Sequence, residues 1–251
     1  MFLKPYKIEP TSYVTDIVTA DYRTAEVFRK YDIEYCCGGK WPLEMVCKAR
    51  DLDINKITSE LQQATRSIQV PNNLPFTDWS IDFLADYIVN VHHHYLRVQL
   101  PEIRDVLRKF TEEHTRKYPF LQEVEKLFTQ LYKELLPHLK QEEEIIFPYV
   151  RQIAHAYDSN EPYASLLVRT LRKPVEDVMH NEHATVLKAV HRIRELTNDY
   201  NTPPNACVSH RVTFSKLREL DNDLMQHVHL ENNILFPRAI EMEKILLSTK
   251  D

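Results

Sequence analysis

The chain has 251 residues, a formal net charge of -5 at pH 7 and 43% hydrophobic residues, enough for one bundle-sized core and a smaller module. No basic stripe or Lys/Arg-rich arm is present to neutralise phosphates, which argues against a nucleic-acid partner. The opening MFLKPYKIEP lacks the apolar core of a signal peptide and no apolar run is long enough to cross a bilayer, so a soluble cytoplasmic protein with no membrane partner is expected.

Four cysteines in a chain of this size do not make a disulfide framework; in a reducing compartment they read as metal or redox thiols, or as core residues. The only two glycines are Gly38 and Gly39, directly after Cys36 and Cys37. So little glycine disfavours sheet-rich folds with many tight turns and suits an all-α fold joined by Asn, Asp and Pro turns.

Residues 1–70 read as a small helical domain. Thr15 or Asp16 can cap a first turn, and TAEVFRKYDI follows, stopped by the glycine pair. Pro42 can open LEMVCKAR, and Asp53 can cap INKITSELQQATR. VPNNLP is the linker into a second domain over 78–248. There the apolar spacing predicts four long helices, about 79–113, 120–156, 163–199 and 206–247. HTRKYP, YDSNEP and NDYNTPPN separate them, and connections this short make neighbouring helices antiparallel.

The second and fourth segments share a signature. His138 is followed four residues later by Glu142 and then by Phe147-Pro148; His227 is followed by Glu231 and then by Phe236-Pro237. Positions i and i+4 share one helix face, so both side chains can reach the same metal pair. A lone His-x-x-x-Glu means little, since roughly one is expected by chance among this many histidines and glutamates. His191 and Glu195 form such a pair without the downstream Phe-Pro. The extended match, an internal duplication, carries the signal.

In an up-down bundle a metal layer crosses each helix once, so consecutive ligands lie equidistant from the turn between them. His93 and His138 are 45 residues apart, His138 and His183 45, and His183 and His227 44, and each midpoint falls in one of the three turns. These four histidines therefore share a layer, with Glu142 and Glu231 a turn away. His191, eight residues past His183, is about 12 Å too high at 1.5 Å per residue. On spacing alone His92 and His94 compete with His93, and His180 can substitute for His183. His114, His155 and His210 fall near turns and read as solvated. Phe147 and Phe236 read as core residues beside a proline kink. Imidazoles with carboxylates suit iron or manganese, and two carboxylates naturally bridge two ions, leaving positions for O₂, NO or an oxo bridge. Glu134, one turn before His138, is a candidate acid beside the site.

These residues resemble the iron-sulfur cluster repair family, the repair-of-iron-centres proteins of ScdA or YtfE type. The resemblance rests on YCCGGK, HHHYLRVQLPEI, HLKQEEEIIFP, MHNEHA and HVHLENNILFPR, and covers nearly the whole chain. It implies a hemerythrin-like bundle behind a small ScdA_N-type domain, with Cys47 on a helix after the Cys-Cys-Gly-Gly element. Aligning QLPE places the first ligand on His93, with His138, Glu142, His183, His227 and Glu231 completing the set, and it points to Glu134 and Glu182 as nearby carboxylates. The implied cofactor is two non-haem iron ions, oxo- and carboxylate-bridged. The implied role is repair of iron-sulfur clusters damaged by nitrosative or oxidative stress, by iron donation rather than enzymatic turnover. Reduction or scavenging of nitric oxide, or O₂/NO sensing, is the alternative. Damaged iron-sulfur proteins and NO or O₂ are the expected partners, and the protein acts as a monomer or homodimer. Cys36 and Cys37, beside the chain's only glycines, suit thiol redox, metal transfer or docking; Cys207 reads as incidental.

Overall fold

The computed structural model describes residues 7–35, 41–65, 74–159, 168 and 175–248, with backbone only over 175–182. Cys36, Cys37, the glycine pair and the expected helix start at Tyr163 lie outside the described residues, as do the side chains of His180 and Glu182. Among the described residues every regular element is helical, apart from one isolated bridge between Tyr13 and Pro42.

The chain divides into two compact units, residues 1–72 with 200–217, and residues 73–199 with 218–251. In the first unit, α1 spans Val14–Ala20, α2 Thr24–Lys30, α3 Leu43–Ala49 and α4 Ile54–Ala64. Neither Thr15 nor Asp16 caps α1: Tyr13 holds the cap position without a side-chain bond, and the Val14 N–H donates to the Trp41 carbonyl instead. Asp53 does cap α4, accepting from the Asn55 and Lys56 amides.

Helix α2 stops before the glycine pair. Asp32 adopts the left-handed conformation (φ 53°), and the Ile33 amide reaches back to the Phe28 carbonyl while Asp32 reaches Arg29. Asp51 (φ 54°) closes α3 in the same way, with Leu52 donating to Cys47. Aspartate is one of the few residues that tolerates this conformation, so it does what glycine does in most helix stops. Phe28, Val14, Ile17, Leu43, Cys47 and Leu61 form the core of this unit. Val212 joins it, and the buried Lys216 pairs with Glu26 at 2.7 Å. The opening turns of the fourth bundle helix thus belong to this unit as well, so the grouping does not follow the VPNNLP linker alone.

In the second unit three of the long helices are interrupted by a π turn. Helix α5 runs Ile81–Tyr87, widens over Ile88–His93 and resumes over His94–His114. Helix α6 runs Leu121–Gln141, widens over Glu142–Ile146 and ends with Phe147–Asp158. Helix α7 spans Val175–Leu196, and α8 runs Val208–Leu230, Glu231–Leu235 and Phe236–Ser248. Two of the widened turns run directly into a Phe-Pro pair. Pro148 has no N–H for the Glu144 carbonyl and Pro237 none for that of Asn233, which loosens the helix there. Pro101 and Pro137 lie in stretches that stay α-helical, so proline alone does not set where the helix widens.

Phe147 and Phe236 are buried with Leu84, Ile88, Val150 and Leu235 on one side of the mid-bundle level. Leu96, Leu135, Val186 and Leu224 are buried on the other, each three residues from one of the four histidines. The histidine level is therefore a polar layer between two apolar ones. No helix among the described residues is long and apolar enough to cross a membrane.

Truncating the fully buried Phe28 to Ala is expected to cost about 3–5 kcal/mol, against about 1 kcal/mol for Asp53→Ala, which removes only a cap. Urea unfolding of the two variants, compared at constant slope, checks the ratio.

Candidate metal centre

Each of the four long helices brings one imidazole to the same level. His93 closes the π turn of α5, His138 and His183 lie within α6 and α7, and His227 lies one turn before the π turn of α8. All four are buried. Glu142 and Glu231, each the first residue of a π turn, are fully buried beside them.

The six side chains form two imidazole pairs joined by two carboxylates. His93 Nε2 is 3.1 Å from His227 Nε2, and His138 Nε2 is 3.0 Å from His183 Nε2. Glu142 turns Oε2 to His93 at 3.3 Å and Oε1 to His138 and His183 at 3.1 and 3.6 Å. Glu231 turns Oε1 to His227 and His93 at 2.9 and 3.7 Å and Oε2 to His183 at 3.4 Å. Each carboxylate thus divides its oxygens between the two pairs.

Described residues fix two of the rings from behind. His93 Nδ1–H donates to Glu143 Oε1 at 2.7 Å, and the same oxygen accepts from Arg97 at 2.5 Å. His183 Nδ1–H donates to Asn232 Oδ1 at 2.9 Å. Both bonds leave the Nε2 lone pair of a neutral ring facing inward, the arrangement a metal-binding imidazole needs.

The donor set fits a divalent cation. Among the described residues neither oxygen of Glu142 nor Oε2 of Glu231 has a hydrogen-bond donor, although all are buried. Buried carboxylate oxygens without donors are costly, and so are facing imidazole lone pairs. Cations between them would remove both costs. Ligand atoms of His93, Glu142, His227 and Glu231 lie within 4.8 Å of one another, as do those of His138, Glu142 and His183.

Without a cation the charges compensate through protons. Burial alone would push the His93 imidazole down, but Glu142 and Glu231 outweigh it and raise it to about 10. His183 is raised against its burial by the same two carboxylates. Burial would raise Glu142, yet His138, His183 and His93 hold it well below the ordinary carboxylate value. Burial and the charge of Glu142 push Glu231 up, and His227 and His93 more than offset them.

The other candidates separate cleanly. His92 is buried but bonds Asp223 through Nδ1 at 2.8 Å, while His94 and His191 are exposed. Glu134 is not brought to the cluster: it is exposed and accepts from Gln130 at 3.0 Å. His155 is exposed and His114 half-buried, but His210 is buried with its ring edge-on to Phe214, contrary to the solvated position its closeness to a turn suggests. Cys47 is a core thiol, pushed up by burial and then by the Asp53 carboxylate. Cys207 is half-buried with Sγ 3.1 Å from Ser209 Oγ.

Spacing arguments miss Glu143, Asn232 and Asp223. A signal for the first two exists in the duplicated motif, since each directly follows a glutamate of the cluster. Each serves the histidine of the preceding helix, Glu143 on α6 for His93 on α5 and Asn232 on α8 for His183 on α7.

Residues 84–239 match the hemerythrin HHE cation binding domain, and residues 11–65 match ScdA_N, a domain of unknown function. The iron-sulfur cluster repair protein YtfE of Enterobacter sp. is 31% identical over 228 residues, covering 91% of this chain and 96% of the relative. YtfE of Escherichia coli O81 is 34% identical over 88% of this chain and 93% of the relative. The probable iron-sulfur cluster repair protein of Haemophilus influenzae is 33% identical over 86% of this chain and 90% of its own. With both domains matched and likeness running almost end to end, the chain belongs to the YtfE-type iron-sulfur cluster repair family of hemerythrin-like proteins.

Proposed function

We propose that this chain repairs iron-sulfur clusters damaged by nitrosative or oxidative stress, and that iron held in its bundle is what it delivers. On this reading His93 and His227 would hold one ion and His138 and His183 a second, with Glu142 and Glu231 serving both. The supporting observation is the division of each buried carboxylate between the two imidazole pairs. The repair role comes from relatives named for it. The cytoplasm, where such clients are made and thiols stay reduced, is the compartment this role fits. Ferrous iron bound by oxygen and imidazole donors supplies exchangeable cargo and open positions for small ligands. The protein's own part is to aim the His93 and His183 Nε2 atoms inward and to keep the carboxylates ionised in a buried layer.

The near-complete burial of all six residues favours a second reading, in which a diatomic such as nitric oxide is the substrate at the same centre. The two separate in parallel assays of the iron-loaded protein, one for reactivation of an oxidatively damaged iron-sulfur hydratase and one for NO consumption. Reactivation with stoichiometric loss of iron supports delivery. Catalytic NO consumption with iron retained overturns it.

Cys36 and Cys37 enter this proposal as transfer or docking thiols. Cys36→Ser with Cys37→Ser is expected to keep the full iron content while lowering hydratase reactivation several-fold. Loss of iron from that variant would show that the two modules are not separable in this way.

Because each carboxylate serves both pairs, Glu142→Ala is expected to reduce bound iron from two ions towards none rather than to one. Metal analysis after anaerobic ferrous loading checks this, and retention of one full ion would rule out the shared bridge.

Proton linkage gives a pH prediction. The raised His93 imidazole, protonated at pH 7 in the metal-free protein, must lose its proton to bind metal, so ferrous uptake releases protons and weakens as pH falls. In the metal-free protein the sign reverses. A histidine raised from 6.5 to about 10 contributes stability that is complete below 6.5 and lost as pH rises through about 10. Melting of the metal-free protein across that interval is expected to show a falling Tm.

A further inference from the structure

The first two histidines of the His92-His93-His94 run both point inward. A π turn spreads consecutive side chains less widely than an α turn, and Ile88–His93 is such a turn. His93 joins the six-residue cluster, whereas His92 does something else. Its Nδ1–H donates to Asp223 Oδ1 at 2.8 Å, and Tyr87 packs edge-on against the ring at a centroid distance of 5.6 Å. The ring of His92 then lies parallel to that of His227, with centroids 5.7 Å apart and planes within 4°.

His227 is the ring that needs this support. His93 and His183 are fixed through Nδ1 by Glu143 and Asn232, but the buried Nδ1 of His227 has no hydrogen-bond partner among the described residues. Nothing bonded through that nitrogen sets its rotation. What flanks it is the stacked face of His92 and the edge contact of His93, whose centroid is 4.9 Å away. Asp223, one turn before His227 on α8, holds the supporting ring and so ties both to the same helix.

We propose that His92 is a positioning residue for His227, and that Asp223 acts through it by locking the plane of its ring. This inference rests on the proposed metal centre. It assigns a hydrogen bond's work to a ring face, and it accounts for the doubled inward histidine without making His92 a ligand.

The test compares His92→Ala, His92→Phe and Asp223→Ala by ferrous and cobalt(II) dissociation constants, the visible spectrum of the cobalt(II)-loaded protein, and melting of the metal-free protein. His92→Ala is expected to weaken metal binding about tenfold, within the range for loss of an outer partner, and to alter the cobalt spectrum. Phenylalanine, which keeps the flat face without a nitrogen, is expected to restore most of the affinity and the wild-type spectrum. Asp223→Ala is expected to fall between them.

Two results overturn the proposal: unchanged affinity and spectrum in His92→Ala, or a phenylalanine variant as weak as alanine, which would show that the ring face does not carry the support. If alanine at 92 fails to fold, the phenylalanine variant and Asp223→Ala decide the matter alone. A wild-type protein that bound no metal would remove the proposed centre itself, an outcome distinct from either.

Discussion

Two carboxylates buried from bulk solvent are the constraint around which the bundle is organised. Glu142 and Glu231 are fully buried, and an isolated ion in such a place is costly. The fold meets that cost by placing an imidazole from every long helix within reach of a carboxylate oxygen. Apolar layers above and below then exclude solvent and strengthen each electrostatic contact. Long antiparallel helices suit this task because each can contribute a side chain at one height without exposing its backbone.

The height of each contribution was legible in the sequence, because helical rise is nearly constant and turn positions are marked by proline and polar residues. The near-equal spacings among His93, His138, His183 and His227 needed no structure to interpret. Direction around the helix axis was less legible. Counting at 3.6 residues per turn allows only one inward residue among His92, His93 and His94, whereas the π turn admits two. Glu143 and Asn232 were missed for a related reason. Each lies one residue past a cluster glutamate, a position the count sends away from the cluster, and only the neighbouring helix makes it useful.

The first unit shows another limit of reading by residue type. A glycine pair invites the reading of a helix stop, yet the helix ends earlier at Asp32, and another ends at Asp51. Among the described residues the left-handed positions fall on Asp32, Asp51, Asn198, Asp199 and Tyr200, four of the five being aspartate or asparagine. The helix stops among the described residues therefore do not depend on glycine.

Iron delivery asks a buried centre to give up its cation without losing the fold. Charge exchange offers a way. With metal bound the imidazoles would be neutral and the carboxylates would face cationic charge; without it, the same carboxylates raise His93 and His183 so that protons take over part of the positive charge. The ion pairs that result span all four long helices, from His93 on α5 and Glu142 on α6 to His183 on α7 and Glu231 on α8. Loss of a bound cation would then exchange metal contacts for ion pairs instead of leaving bare charge in the core. A site of the same shape built only from carboxylates would have no such reserve, and that is the physical reason for a histidine-rich centre in a protein proposed to give its iron away.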